Sequence, residues 1–136
     1  MKPWTRIWLA LALIGVMVST SLPNWGVAWL RSKSMLFNQS IWFFEKMYLP
    51  FSLAHLLVFM LLGLLSTMAL GWQRWRQSWL ALMAFAALTE LMQVFAPGRT
   101  PRFTDLLVDA VGISTGIGLG LLARVIWQGL RRKLCP

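Results

Sequence analysis

Apolar runs broken only by short basic gaps constrain this chain most. From residue 51 to residue 70 it carries no Asp, Glu, Lys or Arg. A segment of roughly 20 apolar residues is what an α-helix needs to cross the hydrocarbon core of a bilayer. A chain built this way has too few charges to give a soluble core a polar surface. Hydrophobic residues make up 58% and charged ones 12% of its 136 residues, against roughly 25% charged in soluble domains. The sequence therefore predicts an all-α integral membrane protein of one domain, residues 1–136.

Four spans are expected. The first covers about residues 7–22, follows Lys2 and Arg6, and stops at the turn signal Pro23-Asn24. A secretory signal peptide is the competing reading of this run, because Val18-Ser19-Thr20-Ser21 offers small residues after a basic start. Trp4 and Trp8 suit a membrane interface and favour a retained helix. The second span covers about residues 51–71 after Pro50, the third about 78–95, ending at Pro97-Gly98, and the fourth about 104–130. Between the first and second, Arg31, Lys33, Glu45 and Lys46 leave no run long enough to cross. The aromatic-rich stretch at about residues 35–49 reads as an interfacial amphipathic helix lying in the headgroup plane, with a soluble loop as its alternative.

The formal net charge of +9 reflects this topology. The 13 basic residues lie almost entirely in the gaps between apolar runs rather than on one solvated face, which argues against nucleic acid and for anionic lipid headgroups. Lys2, Arg6, Arg74, Arg76, Arg124, Arg131, Arg132 and Lys133 fall on one side, and Arg31, Lys33, Lys46, Arg99 and Arg102 on the other. The excess marks the first side, with both termini, as cytoplasmic. Cys135 is the lone cysteine, so no intrachain disulfide forms.

In the fourth span Gly112, Gly116 and Gly120 recur every four residues. Such a stripe lets another helix approach closely. The partner is either a helix of the same chain or a second subunit, in a homo- or hetero-oligomer.

Ionisable groups inside a membrane are costly and are kept where they pair or line a cavity. Here His55, Glu90, Gln93, Arg99, Arg102, Asp105 and Asp109 all fall near one end of the last three spans. Glu90 and Gln93 are three apart, Asp105 and Asp109 four apart, so each pair shares a helix face. The helix N-terminus favours the anions Asp105 and Asp109. Glu90, at a C-terminal end, needs a cation, with Arg99 and Arg102 nearest in sequence. Two readings fit. In one, the arginines clasp the carboxylates and hold the loop. In the other, Arg99, Arg102, Gln93, Asp105 and Asp109 form a ligand site in which guanidinium meets phosphate, and His55 and Glu90 are the candidate acid–base groups of an intramembrane enzyme. No HExxH, CxxC, GxSxG or phosphate-loop pattern is present, so the sequence assigns no metal and no cofactor.

The run Glu90-Leu91-Met92-Gln93, then Pro97-Gly98-Arg99, Asp105 and Gly112, resembles the VanZ-like family of small integral membrane proteins. His55-Leu56-Leu57-Val58-Phe59 with Leu62-Gly63 is similar to that family's histidine-containing helix, and the likeness covers residues 50–122. The chain departs from the family pattern at Phe51 and Ser52, where an acidic residue and a lysine are frequent, and at Asp109, where asparagine is usual. The resemblance implies a protein of the bacterial cytoplasmic (inner) membrane and cell envelope. It also implies kinship with a teicoplanin-resistance protein and with relatives tied to surface polysaccharide. The expected partners are membrane lipids and a lipid-linked glycan, lipid headgroup or glycopeptide. A small structural subunit of a larger envelope complex is a further reading.

Overall fold

The computed structural model describes residues 3–21, 24–36, 39, 53–95 and 102–134. Its described helices are α1 (Pro3–Ser21), α2 (Asn24–Lys33), α3 (Leu53–Leu70), α4 (Trp75–Phe95) and α5 (Phe103–Leu134), with a 3-10 turn at Trp72–Arg74 leading into α4. Three stretches are long and apolar enough to cross a membrane: Leu53–Leu70, Trp72–Phe95 and Phe103–Leu130. The apolar part of α1, Trp4–Ser19, is shorter. The four expected apolar helices are thus present, three of them of spanning length.

Two boundaries differ from expectation. The third span begins earlier, because Gly71 with φ 87° reverses the chain in one residue and the 3-10 turn feeds directly into α4. A positive φ is readily adopted only by glycine, so no longer loop is needed there. Residues 24–33 were expected only to lack a span; they form the short helix α2, beginning at the Asn24 that follows Pro23. Most of the expected interfacial segment at 35–49 lies outside the described residues.

The bundle is built from one buried stripe per helix. In α3 it is Phe59, Leu62, Gly63, Ser66 and Thr67; in α4 it is Ser78, Leu82, Ala86, Thr89, Glu90 and Gln93. In α5 it is Asp109, Gly112, Ile113, Gly116, Ile117 and Gly120. These spacings alternate three and four, the period of one helix face. Leu9, Ala12, Leu13 and Val16 of α1 pack against the resulting core.

The outside is the greasier surface. Leu61, Met68, Leu80, Leu91, Val111, Leu122 and Ile126 are exposed, whereas Ser66, Thr67, Ser78, Thr89, Glu90, Gln93 and Asp109 are buried. A water-soluble domain would sort these residues the other way, and a bilayer accepts this arrangement. Several buried hydroxyls bond within their own helix: Ser66 and Thr67 donate to the Gly63 carbonyl, and Thr89 to that of Ala86.

The closest pair of helices is α3 and α5, which run parallel to each other and antiparallel to α4. A Cβ on Gly63 would stand 2.6 Å from the Ile113 carbonyl oxygen, and one on Gly112 would stand 2.7 Å from that of Leu56. At Gly116 it would overlap the Met60 carbonyl, and at Gly120 it would press the Thr67 side chain at 2.9 Å. Of the two expected uses of the glycine stripe, the structure displays the intramolecular one: it is filled by α3. Gly118, on another face, has nothing within 4 Å of its would-be Cβ, and there Ser114 accepts a 3.0 Å bond from the Trp79 indole N–H of α4.

At the end where α4 begins, the Arg124 guanidinium lies 5.2 Å over the Trp72 ring and Arg76 5.3 Å over Trp75. Arg124 thus reaches toward the same end as Arg74 and Arg76, as its place in the sequence suggests. Arginine on tryptophan suits a membrane interface, where an amphipathic ring meets a snorkelling cation.

Candidate functional site

The three buried stripes do not stay apolar to their ends. Four residues before Phe59 on α3 comes His55; after Ala86 on α4 come Glu90 and Gln93; four before Ile113 on α5 comes Asp109. Helical periodicity points all of them into the bundle at the end where α3 and α5 begin and α4 finishes. Counted at about 1.5 Å per residue from the described helix ends, His55 lies about 3 Å in, Glu90 about 8 Å and Asp109 about 9 Å.

The helices bring these side chains into contact. His55 Nδ1 lies 3.0 Å from Asp109 Oδ1. The Gln93 amide donates to Glu90 Oε1 at 3.2 Å, and the backbone N–H of Arg102 donates to Glu90 Oε2 at 3.2 Å. Ligand-capable atoms of His55, Glu90 and Asp109 all lie within 4.8 Å of one another. His55 also stacks on Phe59, with centroids 6.4 Å apart, and Phe59 meets Phe85 at 6.3 Å. Aromatic packing thus fixes the floor beneath the polar groups.

Burial makes the arrangement exacting. Asp109 is 0% exposed, Gln93 5% and Glu90 9%. Asp109 Oδ2 has no hydrogen-bond partner among the described residues. A buried carboxylate oxygen left unpaired costs on the order of 1–3 kcal/mol or more, so that atom calls for a partner that the described residues do not supply.

Of the expected clasp, the described residues show only the Arg102 part, and there the contact is made by the main chain. Glu90 is held by the main chain of Arg102, whose side chain is exposed and forms no ion pair among the described residues. The Arg102 carbonyl accepts the Asp105 N–H at 2.9 Å, so this residue opens α5 while its N–H reaches back to α4. Asp105 is half-buried and does not belong to the His55–Glu90–Asp109 group. Arg99 lies outside the described residues. His55, Glu90, Gln93 and Asp109 are therefore brought together, with Arg102 and Asp105 alongside.

An apolar groove opens between α3 and α5, lined by none of the cluster residues themselves. Leu56, Leu107, Val108 and Val111 line an open groove of about 230 Å³ between α3 and α5. Leu56 follows His55 in sequence and Val108 precedes Asp109, so each lies beside a cluster residue on its own helix. Sequence reasoning does not find these residues, because Leu and Val on a membrane helix look like any lipid-facing surface. The volume is below the roughly 300–1,000 Å³ of pockets that enclose drug-sized ligands.

A family model described as VanZ/LLP1 matches residues 6–125. Neither a curated protein nor a solved structure matches the chain.

Proposed function

This chain belongs to the VanZ/LLP1 family, and we propose that it is a cell-envelope protein of the bacterial inner membrane that binds a lipid-linked glycan. The observation that carries the reading is that a polar cluster drawn from α3, α4 and α5 lies one residue away, at His55–Leu56 and Val108–Asp109, from an apolar groove between α3 and α5. A glycan attached through phosphate to a hydrocarbon chain offers three matching parts. Its hydroxyls are donors for the carboxylates of Glu90 and Asp109 and the amide oxygen of Gln93. Its phosphate suits the exposed Arg102 guanidinium, with Arg99 as a second donor, since guanidinium bonds phosphate oxygens in pairs. Its chain fits the groove lined by Leu56, Leu107, Val108 and Val111. Asp105 adds a further acceptor at the rim. A glycopeptide or a plain lipid headgroup would supply only some of these parts.

The test is native mass spectrometry of the whole chain in detergent. A polyprenyl-phosphate-linked sugar competes with phosphatidylglycerol for binding. The expected result is retention of the sugar lipid, weakened about tenfold or more, or about 1.4 kcal/mol, by Val111→Trp, which fills the groove, and by Arg102→Ala. Equal retention of both lipids by the wild type, or unchanged retention in both variants, would refute the reading.

One observation favours a second reading, an intramembrane enzyme acting on such a lipid. The His55–Asp109 contact at 3.0 Å gives the histidine the carboxylate partner that orients a general acid–base, with Glu90 in the same group. Incubation of the protein with a lipid-linked sugar phosphate, followed by chromatography, decides this. Release of product by the wild type and not by His55→Ala supports catalysis, and no release leaves binding alone.

A further inference from the structure

The geometry points to a divalent transition-metal site, of the kind that takes Zn²⁺ or Mn²⁺, formed by His55, Glu90 and Asp109. The three come from three different helices and their ligand-capable atoms lie within 4.8 Å of one another. A tetrahedral ion with bonds of about 2.0–2.2 Å holds its ligand atoms about 3.3–3.6 Å apart. The His55 Nδ1 to Asp109 Oδ1 contact of 3.0 Å is a hydrogen bond, which an ion taken up between the two residues would replace. Side-chain shifts of about an ångström would gather all three groups onto one ion of this size.

Two independent observations ask for a cation there. The first is Asp109 Oδ2, fully buried and without a hydrogen-bond partner among the described residues. No described donor reaches that oxygen, and a metal ion would give it a partner. The second is the charge balance. Glu90 and Asp109 are both buried, and among the described residues neither accepts a bond from a lysine or arginine side chain. Among the described residues the one basic partner is His55, which bonds Asp109, and a divalent ion would offset both carboxylates at once.

The surroundings of Glu90 are those of a supported metal ligand. Gln93 and the Arg102 N–H each donate to one of its oxygens, fixing the carboxylate plane while leaving lone pairs free. One imidazole and two carboxylates favour a borderline ion over Mg²⁺ or Ca²⁺, which prefer all-oxygen shells. Three protein ligands leave a coordination position open, the pattern of sites that bind water or a substrate oxygen. The inference does not rest on lipid binding, because metal uptake is measurable with no glycan lipid present.

The experiment uses the whole chain in detergent, free of affinity tag, with Cys135→Ser to remove the only thiol, and stripped with EDTA. Calorimetric titration with Zn²⁺, then Mn²⁺ and Mg²⁺, should show one Zn²⁺ per chain, with Mg²⁺ much weaker. Glu90→Gln and Asp109→Asn, which keep side-chain size and remove the charge, should each weaken Zn²⁺ binding at least about tenfold. Co²⁺ added to the stripped protein should give d–d absorption bands that Zn²⁺ abolishes, a readout that survives if a variant fails to fold. No stoichiometric Zn²⁺ in the stripped protein, no Co²⁺ bands, or undiminished binding in both folded variants would overturn the site and leave His55–Asp109 as a hydrogen-bonded pair alone.

Discussion

His55 and Asp109 stand 54 residues apart in sequence and 3.0 Å apart in space, joining the start of α3 to the start of α5. Asp109 is completely buried and His55 is the only side chain described as bonding its carboxylate. His55→Leu should therefore destabilise the bundle by about 2–3 kcal/mol, since a buried acid loses its partner. Asp109→Leu should cost less than His55→Leu, because His55 is partly exposed. The double variant should be more stable than the two single losses added together. Thermal unfolding in detergent, read as a double-mutant cycle, measures the coupling. Strict additivity would mean that the contact carries no energy.

The α3–α5 seam makes a second prediction. Gly116→Ala forces a methyl group into the Met60 carbonyl, and overpacking of this kind costs about 1–3 kcal/mol. Gly118→Ala meets open space and should be neutral or slightly stabilising, since alanine is the better helix former by up to about 1 kcal/mol. Unfolding midpoints of the pair, measured side by side, separate a packing requirement from a general intolerance of glycine replacement. Equal behaviour would contradict the seam.

Arg102 acts on Glu90 through its backbone and keeps its side chain exposed. Arg102→Ala should consequently leave the unfolding midpoint within the scatter of surface substitutions, about 0.5 kcal/mol, while reducing retention of a phosphate-bearing lipid. A large loss of stability would restore the side-chain clasp and remove this arginine from ligand binding.

Membrane orientation can be tested with a probe the chain already carries, because Cys135 is its only cysteine. If the excess of basic residues marks the cytoplasmic side, a membrane-impermeant maleimide should label Cys135 in inverted vesicles and not in intact cells. Arg102→Cys in a Cys135→Ser background should label in the opposite sense. Labelling of both positions from one side would break the odd number of crossings expected between them.

Much of the architecture could be read from residue order because it follows from local rules. The second and fourth spans fall within a few residues of their expected limits, since Pro50, Gly71 and Thr104 lie next to the real helix boundaries. The third did not, because a single positive-φ glycine does the work for which six residues of loop were expected. The polar cluster was equally visible: His55, Glu90, Gln93 and Asp109 each continue the stripe that carries the core residues of their helix. Hidden from the sequence were the partners inside it. Nothing in residue order tells whether Arg102 meets Glu90 with its guanidinium or its amide.

Sequence alone determined that these helices belong in a bilayer, which face of each turns inward, and at which end the charges gather. Those outcomes depend on hydrophobicity and on the 3.6-residue repeat, both local properties. Tertiary structure decided that the glycine stripe meets α3, that histidine pairs with Asp109, and that a groove opens beside them. Each of these depends on how far one helix slides and turns against another. That choice is made by backbone contacts at Gly63, Gly112 and Gly116, and a one-dimensional pattern does not carry it.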